Sequence, residues 1–134
     1  MAKPQIIVID ASVLIDVLIE PQLMDTLQQM GRESRFVAAE HFELECLHAL
    51  RRLELRGLIK PEFATVAVHQ LSQMPVAKAS ATSTLSRIWD LRKNFTAYDA
   101  AYVALALVLG APLLTHDERL ARAGADIVEM IRLR

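Results

Sequence analysis

The stretch Ile6 to Ile9 limits what this chain can fold into more than any other: four β-branched residues in a row, ended by Asp10. A strand wet on one face alternates apolar with polar residues. An unbroken apolar run instead predicts a strand covered on both faces, as in a parallel sheet. Four further short segments can pair with it: Arg35 to Ala38, Val76 to Ala79, Leu113 to Thr115 and Asp126 to Val128. Helical patterns lie between them, opening near Ser12, Gln22, Glu40, Glu62, Thr82, Ala97 and Asp117, the fourth just after Pro61. Gly31, Gly57, Gly110 and Gly124 fall near helix ends, where a left-handed C-cap favours glycine. Strands alternating with helices predict an α/β sandwich. No linker, repeat or low-complexity tract interrupts the pattern, so a single domain over 1–134 is expected.

This order places four acids: Asp10 in I-I-V-I-D-A-S, Glu45 in E-C-L-H-A-L-R-R, Asp99 in T-A-Y-D-A-A-Y-V-A-L-A and Asp117 in L-L-T-H-D-E-R-L. Asp10 follows the first strand, Asp117 follows the Leu113 strand, and Asp99 opens a very apolar helix. In open parallel sheets, ligands bind beyond the carboxyl ends of the strands. Glu45 needs a helical wheel. Phe42, Cys46, Ala49, Leu50 and Leu53 share a core-facing arc, and His41, Glu45, His48, Arg52 and Arg56 share the adjacent one. Glu45 sits at the inner margin of that basic arc.

Each acid also has a plain structural role open to it. Asp10 and Asp117 suit helix starts, Asp99 lies three residues after Thr96 as in a capping box, and Glu45 can pair with His41 one turn back. What singles them out is their joint placement at one sheet edge. Two carboxylates about 5 Å apart repel by roughly 3 kcal/mol at an effective dielectric near 20. A cluster of four must therefore share protons or hold cations. An all-oxygen donor set with open positions suits Mg²⁺ or Mn²⁺ and lacks the sulfur and imidazole pattern of zinc.

Composition narrows the partners. Fifteen basic against 16 acidic residues give −1 with neutral histidines, so any nucleic-acid affinity must come from a local basic arc. The lone Cys46 excludes an internal disulfide and fits a reducing compartment. The N-terminal M-A-K-P-Q leads into the first strand without the h-region of a secretory leader. No apolar run reaches the ~20 residues of a membrane span, which makes the cytoplasm the expected location. Weaker constellations stay secondary. Glu45 and His48 form one E-x-x-H where a di-iron bundle needs two, and no glycine-rich phosphate loop is present. His116 can titrate beside Asp117 or be a surface-loop histidine. Asp16, Asp90 and Asp126 read as surface or cap residues. Arg92, beside Trp89 and Leu91, is a candidate partner for a buried carboxylate. Ser12 and Thr115 are candidate hydroxyl donors to the acids, or ordinary cap residues.

Taken together, V-I-D-A-S-V-L-I-D, E-C-L-H-A-L-R-R, W-D-L-R-K-N-F-T-A-Y-D-A-A-Y-V-A-L-A and P-L-L-T-H-D-E-R-L-A resemble, in order and spacing, the PIN-domain nucleases. Within these, they resemble the VapC-type toxins of bacterial toxin–antitoxin pairs. The resemblance implies a three-layer α/β/α sandwich with a central, mainly parallel sheet of four to five strands. It also implies a metal-dependent endoribonuclease, homodimeric and inhibited by a cognate VapB-type antitoxin. The family's acidic quartet maps onto Asp10, Glu45, Asp99 and Asp117, with Ser12 and Thr115 at supporting hydroxyl positions. His48 stands where the family pattern E-x-x-N-A-L-R-R carries Asn.

On this reading Asp10 and Asp99 are the main ligands of a first Mg²⁺ or Mn²⁺, helped by Asp117 or Glu45, and a second ion can join with substrate. Arg51, Arg52, Arg56, Arg119 and Arg122 are candidates to grip the RNA backbone, although solvated surface arginines would look the same. Two rivals stand beside it. One is a nuclease of the same architecture serving RNA processing or DNA repair. The other is a receiver-like interaction module with an acidic Mg²⁺ pocket, disfavoured because Ala79-Ser80-Ala81 follows the third strand and no Lys lies beyond Lys93.

Overall fold

The computed structural model describes residues 3–134; Met1 and Ala2, which begin the expected leaderless N-terminus, lie outside the described residues. Five strands form, β1 (Gln5–Ile9), β2 (Ser34–Ala39), β3 (Val76–Ala79), β4 (Leu113–Leu114) and β5 (Met130–Ile131). They make one sheet in the order β3-β2-β1-β4-β5, and every neighbouring pair is parallel. The β-branched run thus lies in the central strand, where Val8 and Ile9 are fully buried. Both faces are covered, so polar alternation has no place there.

Helices α1 (Ala11–Ile19) and α2 (Pro21–Glu33) connect β1 to β2, and α3 (Phe42–Leu55) and α4 (Pro61–Ser72) connect β2 to β3. The chain then crosses back over β1 to β4 through a 3₁₀ turn (Thr82–Thr84), α5 (Leu85–Asp90) and α6 (Ala97–Leu109); α7 (Glu118–Gly124) leads to β5. Crossovers between parallel strands are right-handed as a rule, so connections running in opposite directions along this sheet put α1 to α4 on one face and α5 with α6 on the other, giving three layers. Pro61 opens α4 at the first helical position, where its missing N–H costs nothing. Helix α6, apolar at every position but Asp99, packs on β1 and β2. Its run from Ala100 to Ala106 is buried, four of the seven being alanines that let backbone approach sheet. The core arc expected on α3 is buried at Phe42, Cys46 and Leu50, while Ala49 and Leu53 are half-buried. Burial pushes the Cys46 thiol up to about 12, which keeps it protonated and inert.

Two expectations change. The fifth strand is Met130–Ile131, not Asp126 to Val128. The amides of Ile127 and Val128 both donate to the Gly124 carbonyl, at 2.9 and 3.1 Å, so this apolar pair closes a turn after α7. Of the four glycines, Gly57 and Gly110 adopt positive φ, and Gly110 caps α6 in the left-handed region. Gly31 and Gly124 lie within α2 and α7 and serve close approach instead: a Cβ on Gly124 would run into the Met130 methyl.

The strand order reverses direction at β1, between β2 and β4. That reversal opens a crevice beyond the carboxyl ends of β1 and β4.

Candidate active site

The crevice is a cavity of about 660 Å³ lined by all four sequence-selected acids, Asp10, Glu45, Asp99 and Asp117. Asp10 arrives directly from β1 and is 4% exposed. It caps α1, as the plain reading required, with Oδ1 accepting from the Ser12 amide at 2.7 Å. Its carboxylate is also held from both sides: Ser12 Oγ donates to Oδ1 and Thr115 Oγ1 donates to Oδ2, each at 2.5 Å. Those hydroxyls are oriented in turn. Ser12 Oγ accepts from the His116 amide at 2.9 Å, and Thr115 Oγ1 accepts from the Asp117 amide at 3.0 Å. Ser12 and Thr115 therefore stand where the sequence placed them, as donors to an acid.

Asp117 caps α7 through Oδ1 and the Leu120 amide, 3.1 Å. Asp99 reaches the crevice because α6 runs from the carboxyl edge of the sheet toward β4. The Asp99 amide donates to Thr96 Oγ1 at 3.1 Å, so one half of the capping box forms. The Asp99 carboxylate turns instead to Arg119, 3.2 Å away. Glu45, in the first turn of α3, accepts from the buried Tyr102 hydroxyl at 2.7 Å and lies 3.3 Å from His41 Nε2.

Burial pushes the carboxyls of Asp10, Glu45 and Asp99 above their ordinary values. The Ser12 and Thr115 hydrogen bonds pull Asp10 back down, as Tyr102 and His41 do for Glu45 and Arg119 does for Asp99. The charge of Asp117 raises Asp10 and Asp99 further, and those of Asp10 and Asp99 raise Glu45. The acids thus feel one another across a shared, partly dry space, which disfavours ionising them together. Among the described residues no three His, Cys, Asp or Glu side chains are gathered tightly enough to grip an ion as they stand. Asp99 pairs with Arg119, Glu45 with Tyr102, and Asp10 with two hydroxyls. In donor chemistry the set fits a hard divalent cation, offering four carboxylates and no thiolate.

The basic candidates divide. Arg52 and Arg119 line the cavity, whereas Arg51, Arg56 and Arg122 do not. Arg92 has no buried carboxylate; it is exposed, stacked 4.4 Å over the Trp89 ring and bonded to the Trp89 carbonyl. His116 is not a surface-loop side chain, being 1% exposed, and its Nδ1 pairs with Asp16 at 2.7 Å. Asp16 is accordingly no free surface acid. His48 is exposed in the cavity wall; the hydrogen bond to Glu45 comes from Tyr102, while His41 Nε2, 3.3 Å away, bonds to the Tyr98 carbonyl.

Sequence reasoning missed Tyr98 and Tyr102. They are spaced i,i+4 around Asp99, and both rings pack edge-on against His41 with centroids 5.2 Å apart. A wheel drawn on α6, as on α3, would have put both beside the acid.

Comparison with known proteins places the chain in a family. The family model described as PIN domain matches residues 7–126. Ribonuclease VapC3 of Mycobacterium tuberculosis is 35% identical over 123 residues, covering 91% of this chain and 90% of that protein. Among solved structures, PAE2754 from Pyrobaculum aerophilum superposes with a TM-score of 0.72 at 21% identity, covering 96% of this chain and 84% of the other. VapBC2 from Rickettsia felis, solved bound to a promoter DNA fragment, gives 0.68 at 11% identity over 96% and 98% of the two chains. At those identities the two structures speak for the fold.

Proposed function

The chain belongs to the PIN domain family, and on that premise we propose that it is an endoribonuclease, the toxin of a VapBC-type toxin–antitoxin pair. It acts on RNA phosphodiesters, is restrained by a VapB-type antitoxin, and works as a homodimeric single domain over residues 1–134. The observation that carries the reading is the convergence of Asp10, Glu45, Asp99 and Asp117 on one cavity at the switch point of a parallel sheet. The relatives named ribonuclease support the chemistry.

Asp10, Asp99, Asp117 and Glu45 would hold a divalent cation, Mg²⁺ or Mn²⁺, as one or two ions. Such a cation would make water a better nucleophile and would offset charge developing on the phosphate. The protein's own residues do the rest. Ser12 and Thr115 fix the direction of the Asp10 carboxylate, so its oxygens need no reordering when the site fills. Tyr102 and His41 hold Glu45 in the cavity wall. Arg119, 72% exposed and paired with Asp99 at the cavity, would offer its guanidinium to a phosphate oxygen. Arg52 lines the same cavity and offers a second contact to the backbone.

The test is cleavage of a pooled RNA set by purified protein with Mg²⁺, Mn²⁺ or chelator, with Asp99→Asn run beside the wild type. Cation-dependent cutting that vanishes in Asp99→Asn is expected. Equal cutting by both proteins, or cutting indifferent to chelator, would refute the assignment.

A further inference from the structure

We propose that His116 is a positioning residue for the acidic site, and that through its ring the C-terminal tail sets the geometry around Asp10. The inference rests on the nuclease reading above for the meaning of that geometry, but its contacts stand independently of it. The His116 ring is buried and bonded at both nitrogens. Nδ1 lies 2.7 Å from Asp16 Oδ2 on α1, and Nε2 accepts from the Leu133 amide at 3.2 Å. Because the Leu133 N–H must meet a lone pair, the ring proton sits on Nδ1 and points at Asp16. A single imidazole thus joins the tail beyond β5 to the helix that Asp10 caps. Asp16 is also gripped by Arg134, whose other nitrogen reaches Glu20, so the tail closes on α1 at two further points.

The backbone of the same residue continues inward. The His116 amide donates to Ser12 Oγ, which leaves the single Ser12 proton free to donate to Asp10 Oδ1. One residue on, the Asp117 amide does the same for Thr115 Oγ1, whose proton goes to Asp10 Oδ2. Both hydroxyls that aim Asp10 are therefore set by backbone amides of the segment that the imidazole pins. A ring that cannot hold Asp16 and Leu133 lets that segment shift, and Asp10 loses its fixed direction. Groups that orient metal-binding side chains typically change metal affinity or activity by about 10–100-fold when removed.

The experiment uses the full chain with His116→Phe, which fills the space without hydrogen bonds, together with His116→Asn and His116→Gln. Asn can keep the donor to Asp16, and Gln can reach the Leu133 amide. Asp16→Ala cuts the same link from a half-exposed side chain, should His116→Phe fail to fold. Two quantities are read on folded protein: exchange protection of the Ser12, His116 and Asp117 amides without metal, and affinity for Mn²⁺. In His116→Phe and Asp16→Ala, protection at those three amides should fall by roughly tenfold, and Mn²⁺ affinity by about 10–100-fold. His116→Asn and His116→Gln should fall between them and the wild type. Wild-type protection in both His116→Phe and Asp16→Ala overturns the proposal, as does wild-type Mn²⁺ affinity in a variant whose amides have lost protection. Asp99→Asn is the reference, expected to lose Mn²⁺ with its amides unchanged. If it binds Mn²⁺ like the wild type, the nuclease reading fails, while the exchange data still decide the role of His116.

Discussion

The Thr115 hydroxyl donates to Asp10 Oδ2 across 105 residues of sequence, joining the ends of β1 and β4 where the strand order reverses. With Ser12 on the other oxygen, Asp10 is an acceptor on every side. Asparagine offers one acceptor oxygen and two donors, so Asp10→Asn relieves charge but leaves one hydroxyl facing an N–H. RNA cleavage should fall by at least about 100-fold, equivalent to ~2.7 kcal/mol in the barrier. Melting should show a loss of roughly 1–3 kcal/mol for the mismatched buried hydrogen bond, set against the relief of repulsion. A large gain in stability would mean that the hydroxyls do not constrain Asp10.

Asp99→Asn is the cleaner probe of repulsion, because its carboxylate is engaged by an exposed arginine. Burial and the Asp117 charge raise Asp99 above its ordinary 3.8. Between that value and the raised one, the folded state holds a proton that the unfolded chain has lost. Stability contributed at this position therefore falls as pH rises through the window and stays level above it. In chelator, the variant should match the wild type near pH 3 and become progressively the more stable as pH climbs, before the gap levels off. A gap that shrinks with rising pH would contradict the raised carboxyl.

A cation that relieves the same repulsion must stabilise the folded state. At a free Mn²⁺ concentration 100 times its dissociation constant, linkage gives about 2.7 kcal/mol. For a chain of this length that is a rise on the order of 10 °C in melting temperature. Asp99→Asn should show little of it. An equal rise in both proteins would point to binding outside the cavity.

How much of this was legible in the sequence depends on which residues carried the information locally. The four β-branched residues before Asp10 announced a central parallel strand, and α6 announced its burial by composition. Asp10, Asp99 and Asp117 could be placed because each lies at an element boundary. Glu45 needed the periodicity of α3. The fifth strand was misplaced because the β-branched Ile127 and Val128 resemble a strand better than Met130–Ile131 does, and the turn that claims them is made by the Gly124 carbonyl. His116 and Asp16 were misjudged for a different reason. Their partnership spans 100 residues, and neither side chain has a local pattern that betrays burial.

Tyr102→Phe isolates the support of Glu45. The hydroxyl donates to Oε1 at 2.7 Å and favours the ionised carboxylate; without it, burial holds Glu45 higher still. The ring stays packed, so the expected stability cost is about 1 kcal/mol. The pH at which Mn²⁺ binding is half lost should move upward, since protonated Glu45 cannot serve as a ligand. A shift to lower pH would show that Tyr102 does not assist the charged form.

The arginines give the last prediction, and here the structure separates residues that the sequence could not. Arg52 and Arg119 line the acidic cavity, whereas Arg51, Arg56 and Arg122 do not. A phosphate drawn to the acids, through a cation that masks their charge, should therefore meet the first pair. Each lost contact to single-stranded RNA lowers the slope of log affinity against log salt by about 0.7. Binding of a non-cleaved RNA analogue, measured with Mn²⁺ at several salt concentrations, should show that reduction for Arg52→Ala and for Arg119→Ala. Arg122→Ala should leave the slope unchanged. Arg119→Ala carries a second signature: with its guanidinium gone from Asp99, the carboxyl rises further, because the cation that lowered it is removed. If Arg122→Ala alters the slope while Arg52→Ala and Arg119→Ala do not, the RNA backbone runs outside the cavity, and the cavity arginines serve the acids alone.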